Sequence, residues 1–131
     1  MRYLMDTHLA LWLIADPERL SKKAVQLMED PDNEWLLSAV SVWEVALKHA
    51  KRPDRMPMTS REFHDDCIRS GMKDLPLTLE HVYAAGDLPT EGVHGDPFDR
   101  MLLAQARTEG LRLVTHDAAF ALYGGGSAIL V

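Results

Sequence analysis

One cysteine, Cys67, is all that 131 residues contain. A lone cysteine excludes an internal disulfide framework and a cysteine-rich zinc site, and it fits a reducing cytoplasm. No apolar run approaches the ~20 residues of a membrane-spanning helix. The run at residues 9–15 is short, follows Asp6 and His8, and lacks a cleavage pattern, so no secretory signal is expected. Excess positive charge is missing too: 14 Lys and Arg stand against 20 Asp and Glu, a net charge of −6. Phosphate contacts normally come from Lys and Arg, so an acidic chain is a poor general binder of polyanions. If this one handles nucleic acid, it needs local basic patches or bound cations. Repeats, low-complexity tracts and dividing linkers are also absent.

What is present suits one globular domain, at 47% hydrophobic and 26% charged residues. Apolar runs alternate between strand and helix patterns. Strands are expected at residues 2–5, 34–38, 75–77, 111–115 and 128–131. Helices are expected from the first strand to residue 15, then at 20–29, 40–50, 59–71, 78–85 and 97–109, with a short one before the last strand. Thr59 and Glu62 are spaced as a capping box, and Gly71 and Gly110 as helix stops. Residues 51–58 (KRPDRMPM) read as an exposed basic loop, and residues 124–126 as a turn. The pattern predicts an α/β fold, a parallel sheet with helices on both faces. In such sheets ligands bind beyond the carboxyl ends of the strands.

Two acids fall at that edge. Asp6 follows the strand YLM, and Asp117 follows LRLV and its Thr115–His116 exit. Taken singly, each is accounted for as a helix N-cap. Glu44 lies in a helix apolar over most of its circumference, on a narrow stripe with Ser41, Lys48 and Lys51. Either the stripe is a surface with a Glu44–Lys48 pair worth a few tenths of a kcal/mol, or it borders a cleft. In HGDPFDRMLLAQA, Asp96 before Pro97 is a helix start. Asp99 falls within the apolar arc of the same helix, where a carboxylate costs free energy unless it is paired or metal-bound. Four converging acids, Asp6, Glu44, Asp99 and Asp117, would repel one another unless neutralised. Oxygen donors suit Mg²⁺ or Mn²⁺, and two such ions about 4 Å apart cleave phosphodiesters by activating water.

Four segments, MDTH at 5–8, SAVSVWEVALK at 38–48, HGDPFDRMLLAQA at 94–106 and LVTHDAAF at 113–120, together resemble the PIN-domain ribonucleases, and among them the VapC-type toxins of bacterial toxin–antitoxin pairs. They occur in the family's order and span nearly the whole chain. The resemblance implies a compact α/β sandwich, Mg²⁺- or Mn²⁺-dependent endonucleolytic cleavage of RNA, a homodimer, and a cognate antitoxin that blocks the site. By position, Asp6, Glu44, Asp99 and Asp117 match the family's acidic quartet. Asp96 belongs to a DPFDR variant and would help hold metal or water. Thr115 and Ser41 match hydroxyl positions near the site.

Other residues have two readings. His8, His94 and His116 stand near the acids, where helix starts also attract polar residues. Arg100 and Lys48 either steady acids and meet phosphate or form ordinary ion pairs. Lys51, Arg52 and Arg55 are a solvated loop or a guide for RNA. The apolar residues of LALWLIA and those around Trp43 read as core, with any exposed excess serving a dimer or the antitoxin. Two other functions compete: a phosphotransfer domain with Asp6 as nucleophile, and a non-catalytic binding module of the same fold.

Overall fold

A computed structural model describes residues 1–89 and 95–131. His94 lies outside the described residues. Five strands form one parallel sheet in the order β3-β2-β1-β4-β5: β1 Arg2–Met5, β2 Glu34–Ser38, β3 Lys73–Leu75, β4 Arg112–Thr115 and β5 Ala128–Leu130. Helices α1 Thr7–Ala15, α2 Lys22–Glu29, α3 Ala39–Lys51, α4 Ser60–Arg69, α5 Leu79–Gly86, α6 Pro97–Glu109 and α7 Ala118–Gly124 complete the fold. A short 3-10 turn at Pro17–Arg19 follows α1.

The strand side chains alternate between two cores, as the pleat requires. Leu4, Leu36 and Leu113 join one core with residues of α5, α6 and α7. Tyr3, Met5, Trp35, Leu37 and Val114 join the other with residues of α1, α2 and α4. Helix α3 serves both, through Val40 and Val45. Helices on both faces are therefore a consequence of continuous apolar strands.

The helix ends follow local chemistry. Ser21, Ser38, Thr59, Thr78, Asp96 and Asp117 all cap with their side chains. Ser21 starts α2 two residues later than the apolar pattern suggested. Gly110 closes α6 in the left-handed conformation, at φ 67°.

The expected strand at 75–77 is displaced. Its place is 73–75, with Leu36 opposite Lys73 and Ser38 opposite Leu75. Pro76 has no N–H to give the ladder and ends the strand. The apolar reading of LPL overlooked an edge strand with two exposed polar residues, Lys73 and Asp74.

The chain runs from β1 through β2 to β3 on one side, then returns to β4 and β5 on the other. The order reverses between β1 and β4. Crevices in parallel sheets open at that point, beyond the strand ends.

Candidate active site

Asp6 and Asp117 leave the carboxyl ends of β1 and β4, the two strands at the reversal. Asp6 is pinned by its backbone N–H, which donates to the Val114 carbonyl at 3.0 Å. It occupies the N-cap position of α1, yet its side chain makes no capping bond. Its carboxylate is instead 2% exposed and accepts a 2.7 Å hydrogen bond at Oδ2 from the Thr115 hydroxyl. Oδ1 is buried with no hydrogen-bond partner. Asp117 does both jobs: Oδ1 accepts from the Ala119 and Phe120 amides at 2.9 and 3.1 Å, and the residue lines the cleft.

Asp6, Asp96, Asp99 and Asp117 line one cleft of about 360 Å³, together with His8, Trp12, Arg19 and His116. Asp96 caps α6 as expected, accepting at Oδ1 from the Phe98 and Asp99 amides. That cap turns α6 so that Asp99, in its first turn, lines the cleft.

Glu44 comes from α3 and is 3% exposed. Its Oε2 accepts a 2.7 Å charged hydrogen bond from Lys48, and its Oε1 is buried without a partner. It is near enough to Asp6 to repel its negative charge. The polar stripe of α3 thus runs inward, not along open surface. Ser41 is buried on it and accepts a 2.7 Å hydrogen bond from the Thr7 hydroxyl, tying α3 to the start of α1.

Burial pushes the Asp6 carboxyl above its ordinary range. The Thr115 hydrogen bond and the nearby His8 pull the other way, Glu44 adds repulsion, and His116 lowers it slightly. Among the described residues, no three Asp, Glu, His or Cys side chains stand close enough to hold a metal ion together. The four aspartates share a cleft, Glu44 lies outside its lining, and together they form no closed ligand cage.

Two expectations need correction. Arg100 neither steadies an acid nor faces the cleft. Its guanidinium donates to the Leu88 and Pro89 carbonyls and to the Tyr123 hydroxyl, because residue 100 emerges from α6 beside the end of α5. Trp43 is not core: it is 56% exposed and sits edge-on to Phe98, with ring centroids 5.2 Å apart. Leu47 is exposed on the same helix.

Three cleft residues or supports escaped the sequence reading: Thr7, Trp12 and Arg19. A signal existed for Trp12, which is four residues after His8 and so shares its helix face. Arg19 carried none, since its place depends on how the chain turns after Asp16.

A sequence model of the PIN domain matches residues 3–126. The chain belongs to the PIN-domain family. A curated relative, "Ribonuclease VapC22" of Mycobacterium tuberculosis (strain ATCC 25618 / H37Rv), is 32% identical over 114 residues, 87% of this chain and 85% of that one. Among solved structures, VapBC2 from Rickettsia felis bound to a DNA fragment from their promoter superposes with a TM-score of 0.71 at 19% identity, covering 100% of this chain and 98% of the other. A toxin–antitoxin complex from Klebsiella pneumoniae gives 0.65 at 19% identity over 97% and 95%. At those identities the structures establish the fold of this PIN domain and no more.

Proposed function

We propose that this PIN domain is an endoribonuclease, the toxin of a bacterial toxin–antitoxin pair, which hydrolyses RNA phosphodiesters with Mg²⁺ or Mn²⁺. The observation that carries the reading is the pair of buried, unpartnered carboxylate oxygens, Asp6 Oδ1 and Glu44 Oε1, beside a cleft lined by three further acids. Burying such atoms unpaired is costly, and a hard divalent cation is the partner that oxygen donors of this kind satisfy. The relative named as a ribonuclease supports RNA as the substrate.

Asp6, Glu44, Asp99 and Asp117 would have to draw together to hold the cation, with Asp96 beside them, since as described no three of them stand close enough to hold it. Bound there, the cation would supply an activated water and offset charge on the phosphate. The chain's own groups do the rest. Thr115 holds the Asp6 carboxylate in one rotamer through its 2.7 Å bond. Lys48 offsets the charge of Glu44 where water cannot. Thr7 and Ser41 lock the helices that carry Asp6 and Glu44 to each other. The basic residues Lys51, Arg52 and Arg55, which with Lys48 border a hollow next to the site, would draw RNA toward an otherwise acidic molecule.

Incubating structured RNA with the purified protein tests the reading. Cleavage is expected with Mg²⁺ or Mn²⁺, none with EDTA, and none from Asp99→Asn. Cleavage that persists in EDTA or in the variant contradicts it.

The partners follow by the same reasoning. One of the solved structures it resembles is a toxin–antitoxin complex, so an antitoxin is the proposed protein partner and the cytoplasm the proposed setting. None of the described helices is long and apolar enough to cross a membrane. Trp43, Leu47, Leu79 and Tyr83 are exposed apolar side chains of the kind a homodimer buries. Sedimentation of the isolated chain decides that: a monomer at micromolar concentration rules the homodimer out.

A further inference from the structure

Arg19 lies outside every motif noted in the sequence, yet it lines the acidic cleft and is the sole Lys or Arg among the lining residues described. Its position is built, not incidental. The turn Pro17–Arg19 follows directly on α1, and the Arg19 guanidinium lies 4.9 Å from the centroid of the Trp12 ring. Trp12 is itself held against His116, with centroids 4.1 Å apart and planes at 45°. His116 meets His8 edge-on at 6.2 Å. A row of rings therefore leads from beside Asp6 and Asp117 out to a cation.

The way Arg19 is held decides what it can bind. A guanidinium carbon over an indole is attracted to the ring, and the ring gives its planar set of N–H donors no hydrogen-bond acceptor. Asp16 forms an exposed ion pair with Arg19, 3.8 Å from Nε, which offsets part of its charge but is longer than a hydrogen bond. Nothing else described in the structure pairs with these donors. A planar fork of unused donors suits a tetrahedral oxyanion, above all a phosphate. The cleft also demands one. An RNA strand reaching the acids must carry phosphates past Asp6, Asp96, Asp99 and Asp117, and each of those carboxylates repels it.

We propose that Arg19, held over the Trp12 ring, seats a backbone phosphate of the RNA strand at the cleft, and that Trp12 is its positioning residue. The assignment rests on the RNA-cleaving reading above. It makes the cleft two-signed: acids where the chemistry occurs, and one fixed cation for a phosphate of the same strand.

The test uses the full chain with total transfer RNA and Mg²⁺ or Mn²⁺, measuring binding and cleavage over a range of salt. Arg19→Ala is expected to weaken apparent binding roughly tenfold and to flatten the dependence of log K on log salt by at most about 0.7, the share of one phosphate on a single strand. Arg19→Lys should keep the slope and recover part of the affinity, since it retains the charge without the fork. Trp12→Phe should resemble the native protein. Trp12→Ala should bind less tightly at an unchanged slope, because the charge remains while its support is gone. A melting curve for each variant confirms folding, and exposed Arg19 can be truncated without disturbing the core.

Native affinity and slope in Arg19→Ala overturn the proposal. So does a loss of affinity with no change of slope, which would mark a structural effect. If Arg19→Ala weakens only the complex with the antitoxin, the seat belongs to a protein carboxylate and the RNA assignment is wrong. If the native protein neither binds nor cleaves RNA, the underlying nuclease reading fails, and this assignment with it.

Discussion

The Thr115 hydroxyl joins the two acids that leave β1 and β4: it donates to Asp6 Oδ2 at 2.7 Å and accepts from the Asp117 backbone N–H at 3.1 Å. One oxygen thereby sets the rotamer of one carboxylate and the turn that presents the other. Because the bond stabilises the charged form of Asp6, Thr115→Val should raise that carboxyl further above its ordinary range. The acidic limb of the pH–rate profile is expected to move to higher pH, with a smaller loss at high pH. An unmoved limb would show that Asp6 ionisation does not limit the reaction.

Asp6 should also cost the metal-free protein stability. Burial raises its folded-state pKa above the ordinary 3.8, so the native state binds the proton more tightly than the unfolded chain. Stability is then fullest below the unfolded value and declines as pH rises through the folded one. At neutral pH without divalent cations, Asp6→Asn is expected to be more stable by about 0.5–2 kcal/mol, as is common where function is bought with strain. The same variant should lose the increase in melting temperature that Mn²⁺ gives the native protein. Urea titrations with and without Mn²⁺ measure both.

A second buried network, outside the cleft lining, should matter for stability alone. Ser38 Oγ donates to Gln105 Oε1, and Gln105 Nε2 donates to His81 Nδ1 at 3.2 Å. His81 Nδ1 also accepts from the Thr78 amide, so its proton sits on Nε2 and goes to Glu109 Oε1 at 2.8 Å. Gln105→Leu strands the Ser38 hydroxyl and loosens His81, and is expected to cost about 1–3 kcal/mol. The urea midpoint should fall while the rate of the remaining folded enzyme is unchanged.

The basic loop should act with fewer charges than it contains. Arg52 is held by Asp54 through bonds of 3.1 and 2.8 Å, so part of its charge is already met. Replacing Lys51, Arg52 and Arg55 together by Ala should weaken RNA binding and flatten its salt dependence by clearly less than the ~2 expected of three unpaired cations at about 0.7 each. Unchanged binding would remove the loop from the RNA path.

Period and end signals carried much of the fold. The alternation of strand and helix, the Thr59–Glu62 capping box and the Asp96–Pro97 helix start all describe local chemistry, and all are present. Of the candidate site, Asp6, Asp96, Asp99 and Asp117 do meet in one cleft. What stayed hidden was the set of relations between distant segments. Whether a capping-position Asp caps cannot be read locally: Asp117 does and Asp6 does not, because Thr115 meets it from the neighbouring strand β4. Trp43 looks like core by composition, and only the packing of α6 shows how much of it remains uncovered. Arg100 was judged by its neighbours in sequence, whereas its partners Leu88, Pro89 and Tyr123 come from elsewhere. Arg19 needed the turn after Asp16, whereas Trp12 was legible only through the helix face it shares with His8.

The most direct measurement is the RNA cleavage rate at saturating Mn²⁺ for Asp6→Asn, Glu44→Gln, Asp99→Asn and Asp117→Asn, beside Asp96→Ser, which retains a capping side chain. A loss of at least about 100-fold is expected in each of the first four, a few kcal/mol of lost transition-state stabilisation, and a smaller loss for Asp96→Ser. Near-native cleavage by Asp6→Asn or Glu44→Gln would contradict the proposed function, because the two buried, unpartnered oxygens would then have no part in the chemistry.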